Sequence, residues 1–478
     1  MTTKKSAEKK LVSIKKSPKS LGKPMKGRDI LVKALVNEGV KVIFGYPGGA
    51  SMEIHQGLTL APKIRMVLPR HEQGGSFAAG GYARATGEVG VCLATSGPGA
   101  TNLITGIIDA KMDSIPIVAI TGQVPSTVLG SDAFQETDIM GATFPLVKHS
   151  YMIQNVAEIP RIIHEAFHIA RTGRPGPVLV DVPKNIQQQE GIADFDVSFD
   201  VPSYRPNLKP SILQCKKAAH TIQAAKRPII YAGGGIISSG ASAELRAFVK
   251  KTGIPITTTV MGLGAYPSTD PLSLRMLGMH GAVYANIAMN HADLVIAMGV
   301  RFDDRVTGKL AEFCKNAQII HIDIDPTEIN KNIVVDIPIQ GDVKQALKIL
   351  HGYVEPNKDI KPWIKQVQGW KKEFPLEFKL KKGEIVPQAV VSEINKLADD
   401  DAIFSVGVGQ HQMWAAQFLD FDKPNNWLCS SGLGAMGYGL PAAMGAQVAF
   451  PDRQVINIEG DGSFLMNIQE LQTLKIEN

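Results

Sequence analysis

A chain of 478 residues is too long for a single hydrophobic core, so the sequence predicts two to four domains. Its 44% hydrophobic and 20% charged residues are typical of soluble globular proteins, and no stretch is long and apolar enough to span a membrane. Much of the net charge of +6 lies in residues 1–26, which predict a disordered basic tail. The tail has no aromatic residues that could stack on bases, which argues against a nucleic-acid partner.

A first α/β unit is predicted over residues 27–190. Short apolar runs alternate there with helical patterns, and the predicted strands are residues 42–44, 64–68, 90–94, 115–120 and 178–182. This alternation is typical of a parallel sheet covered on both faces. Functional loops of such sheets follow the carboxyl ends of the strands. The loops in that position are residues 45–49, 69–75, 95–99 and 121–123.

Two further units show the same alternation of predicted strands and helices. A polar linker at residues 186–210 overlaps the start of the second unit, 205–352, whose predicted strands are residues 229–232, 254–258, 294–298 and 319–323. A lysine-rich segment with some helix, residues 351–384, overlaps the third unit, 378–478, with predicted strands at 402–406 and 455–458. The predicted fold class is therefore α/β, with three doubly wound parallel-sheet domains of which the third is incomplete at Asn478.

The turn Gly460-Asp461-Gly462-Ser463 predicts a phosphate site. It lies between an apolar run and a helical pattern, so free N–H groups at a helix start would face an anion. Asp461 could join that phosphate through Mg²⁺, which commonly bridges carboxylates and phosphates. A hairpin is the alternative for an Asp-Gly pair, but the helical period after Ser463 disfavours it.

Loops of the second unit together indicate a nucleotide. Residues 233–235 are glycines after a strand, Arg301 and Arg305 could neutralise a pyrophosphate, and Asp323 ends a strand where an acid can bind a ribose hydroxyl. The alternatives are a flexible turn for the glycines and a surface ion-pair cluster for the arginines.

Two acids in the first unit point to different chemistries. Glu72 follows a strand among glycines and is a candidate catalytic acid. Glu165 belongs to a His164-Glu165-x-x-His168 motif, which on a helix can bind zinc. The alternative for that motif is an ordinary packing helix, and we favour it because no third ligand lies nearby.

The loops together resemble those of thiamine-diphosphate enzymes and, among them, the acetohydroxyacid synthase (acetolactate synthase) catalytic subunits. The motifs that carry the resemblance are residues 45–49 (GYPGG), 70–74 (RHEQG), 95–99 (TSGPG), 132–136 (DAFQE), 174–178 (RPGPV), 276–281 (MLGMHG), 301–305 (RFDDR) and 460–464 (GDGSF). They follow the family order from about residue 27 onward.

The resemblance implies a thiamine-diphosphate site. Glu72 would hydrogen-bond the aminopyrimidine ring, Met436 would hold the two cofactor rings folded against each other, and Asp461 would bind Mg²⁺. Gly48, Phe134, Gln135 and Lys184 would lie near the reacting carbon or the substrate. The remaining residues implied to contact thiamine diphosphate are Gly434, Gly460, Gly462 and Ser463.

The resemblance also implies a structural FAD in the middle domain. The implied contacts are Arg174, Gly233, Gly234, Met279, His280, Arg301, Arg305, Asp323 and Asp342. The implied enzyme is a homodimer or homotetramer, with a small regulatory subunit as a possible partner. It would decarboxylate pyruvate and condense the remaining unit with pyruvate or 2-oxobutanoate. The product would be 2-acetolactate or 2-aceto-2-hydroxybutanoate, in branched-chain amino-acid biosynthesis.

Two departures from the family pattern accompany the resemblance. Glu459 stands where an aspartate is common, and the family's second metal ligand, an asparagine, would lie beyond Asn478, so we expect a C-terminally truncated sequence. The alternatives are pyruvate oxidase, oxalyl-CoA decarboxylase, glyoxylate carboligase, which lacks the counterpart of Glu72, and a catalytically silent protein that binds FAD or a partner. The expected location is the bacterial cytoplasm, with a plastid as the alternative.

Overall fold

A computed structural model describes residues 23–196, 201, 203–380 and 382–477. Most of the predicted basic tail, residues 1–22, lies outside the described residues, as do residues 197–200 and 202 of the predicted linker. Within the described ranges, none of the helices combines the length and the apolarity needed to cross a bilayer.

The first sheet is built from residues 42–183. Its six strands are parallel, in the order β3-β2-β4-β5-β7-β6, and a separate antiparallel pair joins β1 to β8. Ile43, Val118 and Val180 point into a core formed with α1 and α7. The strands are β1 (Met25–Lys26), β2 (Val42–Gly45), β3 (Arg65–Val67), β4 (Gly90–Ala94), β5 (Ile117–Gln123), β6 (His149–Met152), β7 (Val178–Pro183) and β8 (Glu190–Gly191). The helices are α1 (Gly27–Asn37), α2 (Met52–Thr59), α3 (Glu72–Thr86), α4 (Pro98–Asn102), α5 (Ile104–Asp113), α6 (Ile139–Thr143), α7 (Ile159–Arg171) and α8 (Lys184–Gln188).

The second sheet is also six-stranded and parallel, in the order β11-β10-β9-β12-β13-β14. Trp363 packs at the start of β9, where its buried indole N–H donates to the Pro228 carbonyl at 2.9 Å. The strands are β9 (Pro228–Ala232), β10 (Ile256–Thr258), β11 (Ser273–Met276), β12 (Leu294–Met298), β13 (Gln318–Asp323) and β14 (Ile337–Gln340). The helices are α9 (Ile212–Ala224), α10 (Gly234–Ser238), α11 (Ser242–Thr252), α12 (Val283–His291), α13 (Asp304–Thr307), α14 (Val343–Tyr353) and α15 (Lys361–Glu373).

The third sheet has three parallel strands among the described residues, in the order β16-β15-β17. The strands are β15 (Ile403–Val406), β16 (Trp427–Cys429) and β17 (Val455–Ile458). The helices are α16 (Pro387–Leu397), α17 (Gln410–Phe418), α18 (Gly439–Ala449), α19 (Asp461–Met466) and α20 (Glu470–Glu477).

These three sheets confirm the predicted fold class. The sequence reasoning missed β6, β11, β14 and β16, and each of these strands lies at the edge of its sheet. Three of them, β6, β11 and β14, mix polar and apolar residues within four positions, so they lack the continuous apolar run that marks a strand. The prediction of a loop at residues 121–123 is wrong, because β5 continues through them and pairs with β7 up to Gln123. The domain limits stay a prediction.

The first and third sheets are joined through α3 and α18. A Cβ atom at Gly81 would lie 2.3 Å from the Ala442 carbonyl oxygen, and one at Gly445 would lie 2.0 Å from the Ala78 carbonyl oxygen. Glycine at these two positions therefore lets the helix backbones touch. This close packing fixes the start of α3 relative to the third sheet.

Candidate active site

Glu72 is the first residue of α3, directly after the short loop that leaves β3. The Asn102 side-chain amide donates to Glu72 Oε2 at 2.9 Å. His71 begins the helix, and its Nδ1 accepts from the Gln73 N–H at 3.1 Å. The half-buried carboxylate is thus held at a fixed point at the carboxyl edge of the first sheet.

Small residues bring the backbone close to this carboxylate. A Cβ atom at Gly48 would lie 2.4 Å from Thr95 Cγ2, and one at Gly99 would lie 3.2 Å from Glu72 Oε1. Thr95 also accepts the Ala50 N–H at 3.1 Å. The loops after β2, β3 and β4 therefore meet around Glu72.

The other substrate-side candidates lie on the next loops of the same sheet. Gln135 has a positive φ of 61°, and its carbonyl oxygen lies 2.8 Å from the position that a Cβ of Gly97 would take. Phe134 is 89% exposed, and Lys184 begins α8 at the carboxyl end of β7. Gln135 is therefore brought to the 95–99 loop, whereas the Phe134 ring projects into solvent.

Two helix starts converge at the edge of the third sheet. Strands β15 and β17 pair in parallel, and they lead into α17 and α19. The His411 ring lies between the two turns: its Nδ1 is 2.8 Å from a Cβ position at Gly460 and 2.9 Å from one at Gly409. Two adjacent helix N-termini favour a phosphate group. The sequence reasoning found only the α19 turn, although the run Gly407-Val408-Gly409 after a predicted strand could have indicated the other.

The predicted cofactor residues of the third sheet lie together. Met436 Cε is 3.0 Å from a Cβ position at Gly462, and the Gly437 N–H donates to Ser463 Oγ at 3.0 Å. Gly434 has a positive φ of 68°, which turns the chain before Met436. Asp461 is exposed, and its Oδ1 accepts the Gly462 N–H at 2.8 Å.

Buried polar atoms without partners lie behind the same turn. Glu459 Oε1 accepts the Leu440 N–H at 2.9 Å. Glu459 Oε2, Asn457 Oδ1 and His411 Nε2 make no hydrogen bond among the described residues, and His411 Nε2 lies 3.9 Å from Glu459 Oε2. Burial raises the pKa of Glu459, against hydrogen bonds that lower it. Burial also lowers the pKa of His411, against a backbone hydrogen bond to Gly407 that raises it.

A single acid marks the predicted metal position. No group of three or more His, Cys, Asp or Glu side chains that could hold a metal ion occurs in the part of the chain that the structure describes.

The His164-Glu165-x-x-His168 motif, considered above as a zinc site, has other partners. On α7, Glu165 accepts from Arg161 at 2.9 Å and from the Tyr151 hydroxyl at 3.0 Å, while His164 contacts Glu38. Glu165 and His164 are therefore engaged in contacts between α7 and neighbouring side chains.

A cavity of about 880 Å³ opens where the three sheets meet. Its size lies within the range of small-molecule sites. One predicted FAD contact, Gly233, is not among the residues that line the cavity. It packs against Gly299, and a Cβ atom at Gly233 would lie 2.3 Å from the Gly299 carbonyl oxygen. The predicted contacts that line the cavity are Arg174, Gly234, Met279, His280, Arg301, Arg305, Asp323 and Asp342.

Several of these lining residues also make structural contacts. Arg174 donates to Asp325 at 3.1 Å and to Glu328 at 2.7 Å. Asp342 begins α14 and accepts the Gln345 N–H at 2.9 Å. The sequence reasoning missed lining residues that come from the other two sheets, namely Met112, Ser114, Gln412, Trp427 and Gly432.

A buried ionic cluster lies against this cavity. One guanidinium nitrogen of Arg84 donates to Asp109 and to Asp113, both at 2.9 Å, and all three side chains are at most 4% exposed. Asp113 also accepts the Ser431 and Gly432 N–H groups, at 2.9 and 2.7 Å. The cluster ties α3 and α5 to the chain segment that leads to Met436.

Family models match most of the chain in three parts. They are the N-terminal TPP binding domain of thiamine pyrophosphate enzymes over residues 25–142, the central domain over 215–350, and the C-terminal TPP binding domain over 407–478.

Curated proteins similar to the chain are plant acetolactate synthases. "Acetolactate synthase 3, chloroplastic" of Brassica napus is 56% identical over 95% of this chain and 71% of its own length. The Arabidopsis thaliana protein "Acetolactate synthase, chloroplastic" is 55% identical over 95% of this chain and 69% of its own length. The Oryza sativa subsp. japonica protein "Acetolactate synthase 1, chloroplastic" is 55% identical over 95% of this chain and 71% of its own length. The expectation of a bacterial cytoplasm is wrong, because these relatives are chloroplastic.

Proposed function

The chain belongs to the acetolactate synthase family of thiamine-pyrophosphate-dependent enzymes, and from this premise we propose how its residues carry out the reaction. The function is that of a thiamine-pyrophosphate-dependent carboligase of the transferase class in branched-chain amino-acid biosynthesis. Pyruvate is the donor substrate. Pyruvate or 2-oxobutanoate is the acceptor, which gives 2-acetolactate or 2-aceto-2-hydroxybutanoate.

Glu72 is assigned as the catalytic acid. Thiamine diphosphate, when bound, supplies a nucleophilic carbon and an electron sink for decarboxylation and carbon–carbon bond formation. The Glu72 carboxylate would hold or accept a proton at the aminopyrimidine ring, and Asn102 fixes the orientation of that carboxylate. The observation that carries this assignment is the 2.9 Å Asn102–Glu72 hydrogen bond beside Gly48 and Gly99.

The third sheet is assigned to the diphosphate and to Mg²⁺. The converging starts of α17 and α19 would hold the phosphate oxygens, and Asp461 would bind the metal. Met436, Gly434, Gly460, Gly462 and Ser463 shape this half of the site. The proximity of Met436 to Gly462, together with the unpartnered polar atoms behind the turn, supports the fit.

FAD is assigned to the 880 Å³ cavity. Its lining combines glycines at the end of β9, the arginines Arg174, Arg301 and Arg305, and the acids Asp323 and Asp342, which suits a dinucleotide. Heat-released flavin, measured by fluorescence, is expected to be stoichiometric with the chain.

The substrate side is assigned to Gly48, Phe134, Gln135 and Lys184. The exposed Phe134 ring would be available for contact with a second copy of the chain, and an assembly of two or four copies is part of the proposal. A regulatory small subunit is a further proposed partner. The chloroplastic relatives support a plastid location.

Acetolactate formation from pyruvate is the direct test. With thiamine diphosphate, Mg²⁺ and FAD present, acetolactate is followed by NMR in the wild type and in Glu72→Gln. The substitution is expected to lower kcat by about 10²–10⁴-fold, the range for loss of a general acid or base. The control is Glu88→Gln, an exposed acid just after the same helix, which should leave the rate unchanged. Conversion of pyruvate only to acetyl phosphate or acetaldehyde would contradict the proposal.

A further inference from the structure

Helix α20 places a buried carboxylate at the start of the Glu72 helix. Glu470 is 0% exposed, and although it belongs to the third domain, it binds backbone N–H groups of the first. Its Oε1 accepts the Arg70 N–H at 3.0 Å and the His71 N–H at 3.1 Å. Its Oε2 accepts the Arg70 N–H at 3.1 Å and the Thr473 hydroxyl at 2.7 Å.

This arrangement uses donors that a helix start leaves free. The first N–H groups of a helix and of the residues before it have no partners within the helix, and a carboxylate satisfies them well. Burial raises the pKa of Glu470, whereas the hydrogen bonds from Thr473, Arg70 and His71 lower it. The Glu470 carboxylate packs closely against α3, since a Cβ atom at Gly74 would lie 2.4 Å from Glu470 Oε1.

The contacts of Glu470 end one residue before Glu72. His71 is held through its backbone by Glu470, and its ring accepts the Gln73 N–H at 3.1 Å. The Gln73 side chain in turn accepts from Asn467 at 3.4 Å, and Asn467 donates to the Gly437 carbonyl at 2.7 Å. Glu72 is therefore flanked on both sides by residues that the third domain holds.

We propose that Glu470 is a positioning residue for Glu72, which fixes the backbone of Arg70 and His71 so that the Glu72 carboxylate meets the cofactor in a productive orientation. This inference rests on the proposed function. Asn102 fixes the carboxylate itself, and Glu470 fixes the chain that carries it.

A general docking role for α20 would make a different prediction. Glu477 lies on the same helix and also reaches the first domain, where it pairs with Arg65 of β3 at 2.6 Å. This ion pair does not involve residues 70–73. Glu477→Gln is therefore a matched control that weakens an interdomain contact of α20 and leaves the segment before Glu72 intact.

The experiment compares the wild type with Glu470→Ala, Glu470→Gln and Glu477→Gln. Hydrogen–deuterium exchange mass spectrometry follows the Arg70 and His71 amides. Exchange of the reactive-carbon proton of bound thiamine diphosphate is followed by quenched NMR, and kcat and KM are measured with pyruvate.

In Glu470→Ala both amides should lose protection, and kcat and the proton exchange rate should fall together by about 10–10²-fold, the cost of displacing a catalytic group by about 1 Å. KM should change little. Glu470→Gln keeps an acceptor oxygen and should retain most of the rate, and Glu477→Gln should match the wild type in all readouts.

Three results would overturn the proposal. They are unchanged amide protection in Glu470→Ala, lost protection with an unchanged proton exchange rate, and equal losses in Glu470→Ala and Glu477→Gln. If Glu470→Ala does not fold, Gly74→Ala displaces the same carboxylate and is judged by the same criteria. If the wild type forms no acetolactate, the proposed function fails, and the amide protection alone then decides whether Glu470 holds the segment.

Discussion

At the scale of single residues, hydrogen bonds at the edge of the first sheet hold polar side chains in fixed orientations. Asn102 ends the short helix α4, and its amide reaches across to Glu72, thirty residues earlier in the chain. A carboxylate that accepts one fixed hydrogen bond keeps its second oxygen in a defined direction. Geometry of this kind, rather than the presence of an acid, distinguishes Glu72 from the exposed glutamates of the chain.

Replacement of Asn102 by alanine should therefore impair catalysis without removing the acid. We expect kcat to fall by about tenfold, since an oriented catalytic group contributes less when it samples several rotamers. The KM for pyruvate should stay close to that of the wild type. Steady-state kinetics checks this, and a loss as large as that of Glu72→Gln would contradict the positioning role.

Asp181 is a second residue whose environment has a measurable consequence. It is 0% exposed on β7, and it accepts from the Thr121 hydroxyl at 2.7 Å and from the Gln123 amide at 3.0 Å. Burial raises its pKa to about 7, against these hydrogen bonds, which lower it. Between about pH 4 and pH 7 the folded protein therefore binds a proton that the unfolded chain has lost.

The stability contributed by Asp181 should consequently fall as the pH rises through this window. Asp181→Asn stays neutral at every pH, so its thermal midpoint relative to the wild type should be higher at pH 8 than at pH 5. Thermal unfolding followed by fluorescence at the two pH values measures the difference. Asp452→Asn, at an exposed acid, is the control, and a pH-independent difference for Asp181→Asn would contradict the assignment.

At the scale of elements, the contact between α3 and α18 determines how the first and third domains meet. Phe77 of α3 packs edge-on against Tyr438, with ring centroids 5.5 Å apart, and both rings are buried. The contact depends on glycine at Gly81 and Gly445, where the backbones touch. Because Glu72 begins the same helix, the packing of α3 also positions the candidate catalytic acid.

Neighbouring glycines of α3 should respond in opposite ways to the same substitution. A Cβ at Gly80 would meet no atom within 4 Å, whereas one at Gly81 would lie 2.3 Å from the Ala442 carbonyl oxygen. Gly80→Ala should raise the thermal midpoint, since alanine in a helix is favoured over glycine by about 1 kcal/mol. Gly81→Ala should lower it. Calorimetry distinguishes the two, and equal shifts would mean that the helices do not pack at this distance.

At the scale of the whole molecule, the cavity exists only because three sheets meet. The Arg84–Asp109–Asp113 cluster lies at this junction. Asp113 also accepts hydrogen bonds from the backbone N–H groups of Ser431 and Gly432. Burial raises the pKa of Asp109 to about 6, while Arg84 lowers it. Breaking a buried ion pair by removing one partner typically costs about 3–5 kcal/mol, because the remaining charge stays buried.

Asp113→Ala should accordingly loosen the junction and release the FAD that we propose for the cavity. We expect a lower thermal midpoint and a smaller flavin-to-chain ratio after gel filtration. Arg65→Gln, which breaks the partly exposed interdomain pair with Glu477, is the control, and pairs of that kind contribute about 0–1 kcal/mol. Flavin retention equal to that of the wild type would show that the cluster does not maintain the cavity.

Much of the fold and of the candidate site could be predicted from local patterns. The central strands β4 and β12 were predicted to the residue, because buried parallel strands form continuous apolar runs between polar turns. The edge strand β17 was also predicted to the residue, from its run Val455-Ile456-Asn457-Ile458. The positions of Glu72 and of the Gly460–Ser463 turn follow from the same rule, since the residues after such strands lie at the functional edge of the sheet. Four other edge strands, β6, β11, β14 and β16, were not found.

The sequence alone predicted which loops carry chemistry, and the resemblance of those loops indicated the family that the comparisons show. Only the tertiary structure showed that Asn102 holds Glu72, that α17 and α19 begin side by side, and that Glu470 reaches the Glu72 segment across about four hundred residues. Such contacts depend on how separately folded sheets pack. That packing is set by backbone approaches at positions such as Gly81 and Gly445, which look the same in sequence as any other helical glycine.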